Sequence, residues 1–149
     1  MQEWTEDEAE AFARAAHAGQ VDKAGEPYIT HPLRVRARLI EPSSRMAALL
    51  HDVVEDCGVT PHELLGRGCP PAVVRAVVAL TKQEGEPLES SLRRAAEDVI
   101  ALEVKRADIA DNSDPERLSR LPLATAERLT VKYRRSTALL DEFTASPPA

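Results

Sequence analysis

The chain has 149 residues, 43% of them hydrophobic and 30% charged, which is globular composition for one domain with a real core and excludes a disordered chain. A net charge of −6 excludes a general nucleic-acid binder, which would carry a basic stripe, but leaves room for an anionic small molecule. The only cysteines are Cys57 and Cys69, so there is no disulfide framework, and the acidic start Met1-Gln2-Glu3-Trp4 lacks a signal-peptide core. No apolar run approaches the roughly 20 residues that cross a bilayer. These features predict a cytoplasmic protein with no membrane partner.

In chain order, Thr5-Glu6-Asp7-Glu8 is a capping box that opens a helix through Ala9, Phe12, Ala13, Ala16 and His17, stopping near Gly19. Residues 19–32 contain two glycines and two prolines and read as a loop. Thr30 is expected to cap a second helix from His31 or Pro32 through Leu39. A third helix is predicted to run unbroken from Ser44 to Asp56, capped by Ser43 or Ser44. At 3.6 residues per turn His51, Asp52, Glu55 and Asp56 would share an arc of roughly 140°, with Leu50, Val53 and Val54 facing a core. Acids at i and i+4, as in Asp52 and Asp56, repel unless a cation or proton lies between them. A divalent metal is the simplest resolution.

Thr60-Pro61-His62-Glu63 is a second capping box with Pro at the first helical position. Pro70-Pro71 opens a helix whose stripe reads Val73, Val74, Val77, Val78 and Leu80. Residues 83–87 form a polar loop, and Leu88 to Ala110 reads as one long helix or two. Ser113-Asp114-Pro115-Glu116 is a turn that restarts a helix near Arg117. Pro122 separates that from a last helix, Ala124 to Phe143, with Leu129, Tyr133, Leu139 and Leu140 inward. Residues 146–149 read as a frayed tail. No segment alternates strictly and no repeat period occurs, so the expected fold is all-α, a single domain over residues 1–149 with no internal linker.

Polar chemistry concentrates in the 19–32 loop, in 51–56 and in 104–112. His31, His51, Asp52 and Asp108 together offer mixed nitrogen and oxygen donors, a set suited to manganese, iron or zinc rather than calcium or magnesium. A metal so held lowers the pKa of a bound water, and Glu55 and Asp56, one turn on, could orient that water or take its proton. Plainer roles suit the remaining candidates: His17 braces the loop, His62 is a surface residue, Cys57 is a small helix-end residue, Trp4 and Phe143 pack the termini, and Arg134-Arg135 is a solvated face.

The blocks Lys23-Ala24-Gly25-Glu26-Pro27-Tyr28-Ile29-Thr30-His31-Pro32, Leu50-His51-Asp52-Val53-Val54-Glu55-Asp56 and Lys105-Arg106-Ala107-Asp108 with Asn112 occur in that order, with His17-Ala18-Gly19-Gln20 before and Leu80-Thr81-Lys82 between. In this pattern the chain resembles the hydrolase domain of the RelA/SpoT-homologue proteins, within the HD phosphohydrolase superfamily, and most closely the small alarmone hydrolases. The resemblance runs from about Ala13 to about Leu118. It implies an α-helical HD fold holding one metal, usually manganese, through His31, His51, Asp52 and Asp108. It further implies removal of the 3′-pyrophosphate from ppGpp and pppGpp, with Glu55 and Asp56 serving the attacking water. Lys23 would face substrate phosphates and Asn112 the nucleotide. With the sequence ending at Ala149, a hydrolase without a synthetase domain is expected.

Two positions depart from the family pattern. An arginine that packs on guanine commonly precedes the loop lysine, where this chain has Asp22, and Ile109 follows Asp108 where the family has arginine. Asp22 is expected to offset the charge of Lys23, and Ile109 to make one pocket wall drier, so that ppGpp binds more weakly and other 3′-phosphorylated nucleotides are tolerated. Two other readings stand beside the pyrophosphohydrolase. One is an HD-type phosphatase on a nucleoside monophosphate or NADPH. The other is a metal-bound regulatory domain without turnover, which would have no use for the spare carboxylates of Glu55 and Asp56. The sequence leaves open whether the chain forms an oligomer.

Overall fold

A computed structural model describes residues 3–145. The described residues form ten helices: α1 Glu6–Ala16, α2 Thr30–Ala37, α3 Pro42–Leu50, α4 Val53–Cys57, α5 Pro61–Gly66, α6 Pro71–Leu80, α7 Leu88–Ala96, α8 Val99–Asn112, α9 Pro115–Ser119 and α10 Leu123–Thr144. The only β pairing among them is an isolated antiparallel bridge between Val21 and Pro27. The all-α, single-domain expectation is therefore met. The expected tail at 146–149 lies outside the described residues.

The helix starts follow their caps. Thr5 accepts the Glu8 amide and Thr60 accepts the Glu63 amide at 3.0 Å, so both capping boxes form at their serine/threonine end. Thr30 does not cap α2; Ile29 occupies that position and the Thr30 hydroxyl donates to the Pro27 carbonyl at 2.8 Å. Neither Ser43 nor Ser44 caps α3, which starts at Pro42 after an extended Glu41. Proline at the first helical position gives up an amide that has no intrahelical partner anyway. Ser44 instead lies buried and donates to Glu103 at 3.0 Å.

The predicted 44–56 helix is two helices. The His51 ring bonds the Ala48 carbonyl through Nδ1 at 2.6 Å. That carbonyl would receive the Asp52 amide in an unbroken helix, so the imidazole competes with the backbone ladder at this point. His51 closes α3 and Asp52 sits before α4. The carboxylates and the imidazole thus gather at a helix junction rather than along one continuous arc.

α3 lies at the centre of the bundle and packs against α1, α2, α6 and α8. Its Ala47, Ala48, Leu49 and Leu50 are fully buried, with Val53, Val73, Val77 and Val104 around them. At about 25 cal/mol per Å² of apolar surface this layer supplies the main drive for folding. Val78, expected in the α6 stripe, faces solvent, and Ala76 and Ala79 take that face. The segment 88–110 is two helices, α7 and α8, and the Asp98 side chain caps α8 by accepting the Ala101 amide at 2.8 Å. α10 packs on α7 and α8 around a smaller cluster of Leu92, Ile109 and Leu140.

Candidate active site

One cavity of about 730 Å³ is lined by the 21–28 hairpin, α2, the start of α4 with Asp52, the inward face of α8, the 114–121 segment around α9, and α10. The hairpin is held by Tyr28 N–H to the Gln20 carbonyl and Asp22 N–H to the Glu26 carbonyl, each 2.8 Å. Gly25 supplies the turn at φ +86°, a conformation costly for any residue with a Cβ. Lys23 is at the tip, exposed and lining the cavity.

His31 and Asp108 at the cavity wall and His51 behind them are buried, and one ligand atom from each lies within 4.8 Å of the others. His31 Nε2 is 2.8 Å from Asp108 Oδ1, and His51 Nε2 is 3.0 Å from Asp52 Oδ2 and 3.5 Å from Asp108 Oδ1. Three of the four residues named from the sequence as ligands thus form one cluster, and Asp52 adjoins it through His51.

Their outer contacts orient them inward. The Ala48 carbonyl can only accept, so His51 Nδ1 carries a proton and Nε2 points into the cluster. His31 Nδ1 bonds Asp111 Oδ2 at 2.7 Å, which fixes its Nε2 in the same way. His51 Nε2, though close to two carboxylates, is buried with no hydrogen bond of acceptable geometry. An orphaned buried imidazole nitrogen costs free energy unless a cation or a proton meets it. The two imidazole nitrogens and the Asp108 carboxylate therefore fit a divalent metal, with the Asp52 carboxylate beside His51.

The electrostatics agree. Burial works against charging His31 and His51, yet the surrounding carboxylates hold both imidazoles above their ordinary pKa. Burial likewise opposes ionisation of Asp52 and Asp108, but His51 holds Asp52 below the usual range, and Lys105 with both imidazoles holds Asp108 well below it. The cluster strongly attracts positive charge. Lys105, 3.1 Å from Asp108 Oδ2, supplies part of it.

Asp56 and Glu55 also line the cavity but differ in circumstance. Burial and the neighbouring carboxylates of Asp52 and Glu55 raise the pKa of Asp56. Glu55 accepts the Lys82 backbone amide at 2.8 Å, so one of its oxygens ties α4 to the segment after α6. Asn112 lines the cavity, donates to Asp108 at 3.1 Å and accepts from Arg117 at 3.2 Å.

Four participants were not singled out from the sequence. The Tyr28 hydroxyl donates to Asp52 Oδ2, and burial followed by that carboxylate raises the phenol's pKa. Asp111 orients His31, Lys105 pairs with Asp108, and Arg117 pairs with Asp111 at 2.9 Å and with Asp22 at 3.4 Å. The spacing of Asp108, Asp111 and Asn112 at i, i+3 and i+4 on one helix was the available signal for Asp111. Nothing local marked Arg117.

The two departures come out differently from expectation. Asp22 neither faces solvent nor serves mainly to offset Lys23: Oδ1 accepts the amides of Ala24 and Glu26 at 2.9 and 3.0 Å, and Oδ2 meets Arg117. Ile109 forms no wall of this cavity. It is buried in the α7–α8–α10 cluster, about 100° round α8 from Asp108. Of the plainer roles, His17 does brace the loop, its Nδ1 2.9 Å from Gln20 Oε1, while Trp4 packs on Phe12 with ring centroids 5.2 Å apart.

Residues 9–130 match the HD-domain family. The chain belongs to that family. Among curated relatives, the bifunctional (p)ppGpp synthase/hydrolase SpoT of Escherichia coli (strain K12) is 34% identical over 120 residues, 70% of this chain and 17% of that protein. The guanosine-3′,5′-bis(diphosphate) 3′-pyrophosphohydrolase of Vibrio cholerae is 52% identical over 56 residues, 35% of this chain and 8% of that one. The chain therefore spans less than a fifth of the length of these relatives. A solved metazoan SpoT orthologue described as hydrolysing ppGpp superposes with a TM-score of 0.73 at 23% identity, covering 94% of this chain and 87% of that one. That match establishes the HD-type fold. Within it, the His/Asp cluster is a site able to hold a divalent cation. No helix among the described residues is long and apolar enough to cross a membrane.

Proposed function

We propose that this HD domain is a metal-dependent phosphohydrolase that removes the 3′-pyrophosphate of (p)ppGpp-type nucleotides, in the cytoplasm. The observation that carries this is the convergence of His31, Asp52 and Asp108 in the wall of one cavity, with His51 against the two carboxylates, in a chain whose relatives are named as 3′-pyrophosphohydrolases. In this reading those four residues hold one divalent ion; the mixed imidazole and carboxylate donors suit a transition metal over Ca²⁺ or Mg²⁺, and Mn²⁺ is the one the family resemblance implies. When bound, such an ion supplies a water acidic enough to ionise near neutral pH.

Hydrolysis puts the water oxygen on the phosphorus attached to the 3′ oxygen and breaks the bond between them. Pyrophosphate and GDP or GTP are the products; one proton leaves the water and one reaches the departing 3′ oxygen. Asp56, with its raised pKa and free carboxylate, is the better acceptor of the water's proton. Glu55, committed to the Lys82 amide, holds the adjoining segment in place. Lys23 meets the substrate phosphates at the mouth, and Asn112 spans the ligand Asp108 and the cavity wall where the nucleotide lies.

The test is product identity. The protein loaded with Mn²⁺ is given ppGpp, its adenine counterpart, GMP and NADPH, and pyrophosphate and orthophosphate are quantified separately. Pyrophosphate from ppGpp, abolished by EDTA and restored by Mn²⁺, is expected. Orthophosphate from GMP or NADPH alone would replace this reading with that of an HD phosphatase. Absence of turnover in a protein that binds Mn²⁺ would favour a regulatory domain.

A further inference from the structure

α9 buries none of its five residues, so apolar packing does little to locate it. What ties it to the site is Arg117. Its Nη1 donates to Asp111 Oδ2 at 2.9 Å, to Asn112 Oδ1 at 3.2 Å and to the Asp111 carbonyl at 3.3 Å, while Nη2 reaches Asp22 Oδ2 at 3.4 Å. Each end of this set leads to a functional group. Asp111 is hydrogen-bonded to His31 Nδ1. Asp22 Oδ1 holds the amides of Ala24 and Glu26 and so shapes the turn that carries Lys23. One guanidinium thus joins the hairpin, 95 residues away in sequence, to the imidazole that faces the cation cluster.

We propose that Arg117 is a positioning residue that couples the Lys23 hairpin to the cation site, so that ordering of one tightens the other. This rests on the reading of His31 as a metal ligand. The physical basis is that the Asp111 carboxylate sets the orientation of His31, and two guanidiniums hold that carboxylate: Arg34 Nε, at 2.9 and 3.2 Å from its two oxygens, anchors it to α2, and Arg117 links it to the hairpin. The Asp22–Arg117 pair is largely shielded, with side-chain exposures of 10% and 25%, so solvent screens it less than an ordinary surface pair. Linkage makes the effect reciprocal: if the hairpin's order favours cation binding, a bound cation must order the hairpin to the same extent.

The experiment is Mn²⁺ titration of the metal-free protein by calorimetry, with amide exchange of Ala24 and Glu26 as a second readout. The variants are Asp22→Asn, which keeps an acceptor for the turn amides and removes the charge, Arg117→Met, Arg117→Lys and the Asp22→Asn/Arg117→Met double variant. Outer partners of metal ligands typically change affinity about 10- to 100-fold; one link further out, each of the Asn and Met single variants should weaken Mn²⁺ binding about three- to tenfold. The double variant should bind no worse than Arg117→Met, and Arg117→Lys should recover part of the loss. Mn²⁺ should slow exchange at Ala24 and Glu26 in the wild type and not in Arg117→Met.

Unchanged Mn²⁺ affinity in Asp22→Asn, or losses in the two single variants that simply add, would overturn the coupling while leaving the metal site intact. A wild-type protein that binds no Mn²⁺ would overturn both. Should Arg117→Met lose its helical circular dichroism, Asp22→Asn and Arg117→Lys carry the same comparison.

Discussion

The four residues proposed to hold the cation are not equivalent in what they leave behind when removed. Asp52 lies 3.0 Å from His51 Nε2 and accepts from the Tyr28 hydroxyl, so Asp52→Ala removes a carboxylate beside the cluster and strands that phenol. His51→Ala removes the nitrogen that has no partner but a cation. Both variants should lose most of the roughly one Mn²⁺ per chain expected of the wild type, because a four-donor site rarely survives loss of one. Elemental analysis after gel filtration checks this, and equal metal in all three proteins would remove the site. Beyond the metal, Asp56→Asn should lower kcat by about 100-fold or more with metal content unchanged, the usual scale for a positioned proton acceptor. Glu55→Gln keeps an acceptor for the Lys82 amide and should cost less. If instead Asp56→Asn turned over at the wild-type rate, the water's proton would have to go elsewhere. These residues were readable because their types are unusual on an inward face. Tyr28 and Asp111 were not, since a phenol and a third carboxylate gain their roles only once the hairpin and α8 are brought to the same cavity.

At the scale of elements, caps and proline positions were legible, and the α3–α4 junction was not. Helix propensity and apolar pattern favour continuity from 44 to 56, and only the His51 ring, by taking the Ala48 carbonyl, competes with it. That is a tertiary decision: the ring is held in place by the acids around it. Ile109 fails for a related reason. Its neighbour in sequence, Asp108, faces the cavity, but one residue along a helix is a turn of about 100°, enough to put Ile109 in the other cluster. α4 then ends at Gly58, in the left-handed region at φ +70° with no atom near enough to obstruct a methyl group. Gly58→Ala should therefore cost about 1 kcal/mol from backbone conformation alone, and Gly58→Asn less, since asparagine tolerates that region better. Urea unfolding of the two variants measures the difference. Because the cost comes from φ rather than packing, the metal content of folded Gly58→Ala should stay at the wild-type level.

For the molecule as a whole, two glutamates of α1 pair with arginines of the rest of the bundle. Glu6 pairs with Arg45 of α3 at 2.7 Å and more loosely with Arg36 of α2 at 3.7 Å, and Glu10 pairs with Arg36. Arg45 also donates to the carbonyls of Arg36 and Leu39, at 3.2 and 3.1 Å, closing the end of α2. Hydrogen bonds from these guanidiniums hold both glutamates below their ordinary pKa. A carboxylate whose pKa is lower in the folded than in the unfolded chain stabilises the fold fully above the unfolded value, about 4.3 for glutamate. That contribution fades as pH falls through the folded value. Both glutamates are partly exposed, so solvent screening limits each link to about 0.5 kcal/mol. Between pH 7 and 5 these two links should add no pH dependence to stability, and below about pH 4.3 they should contribute a progressive loss. Arg45→Met removes the Glu6–Arg45 link and two carbonyl bonds together, so it should lower stability at pH 7 and make the remaining decline toward pH 3 shallower. Comparing urea midpoints of wild type and Arg45→Met at pH 7, 5 and 3.5, in metal-free buffer so that the cation cluster does not contribute by linkage, isolates the effect. A difference between the two proteins that is the same at all three pH values would mean that Arg45 acts through its carbonyl bonds and packing alone, and that the charge on Glu6 contributes nothing to holding α1.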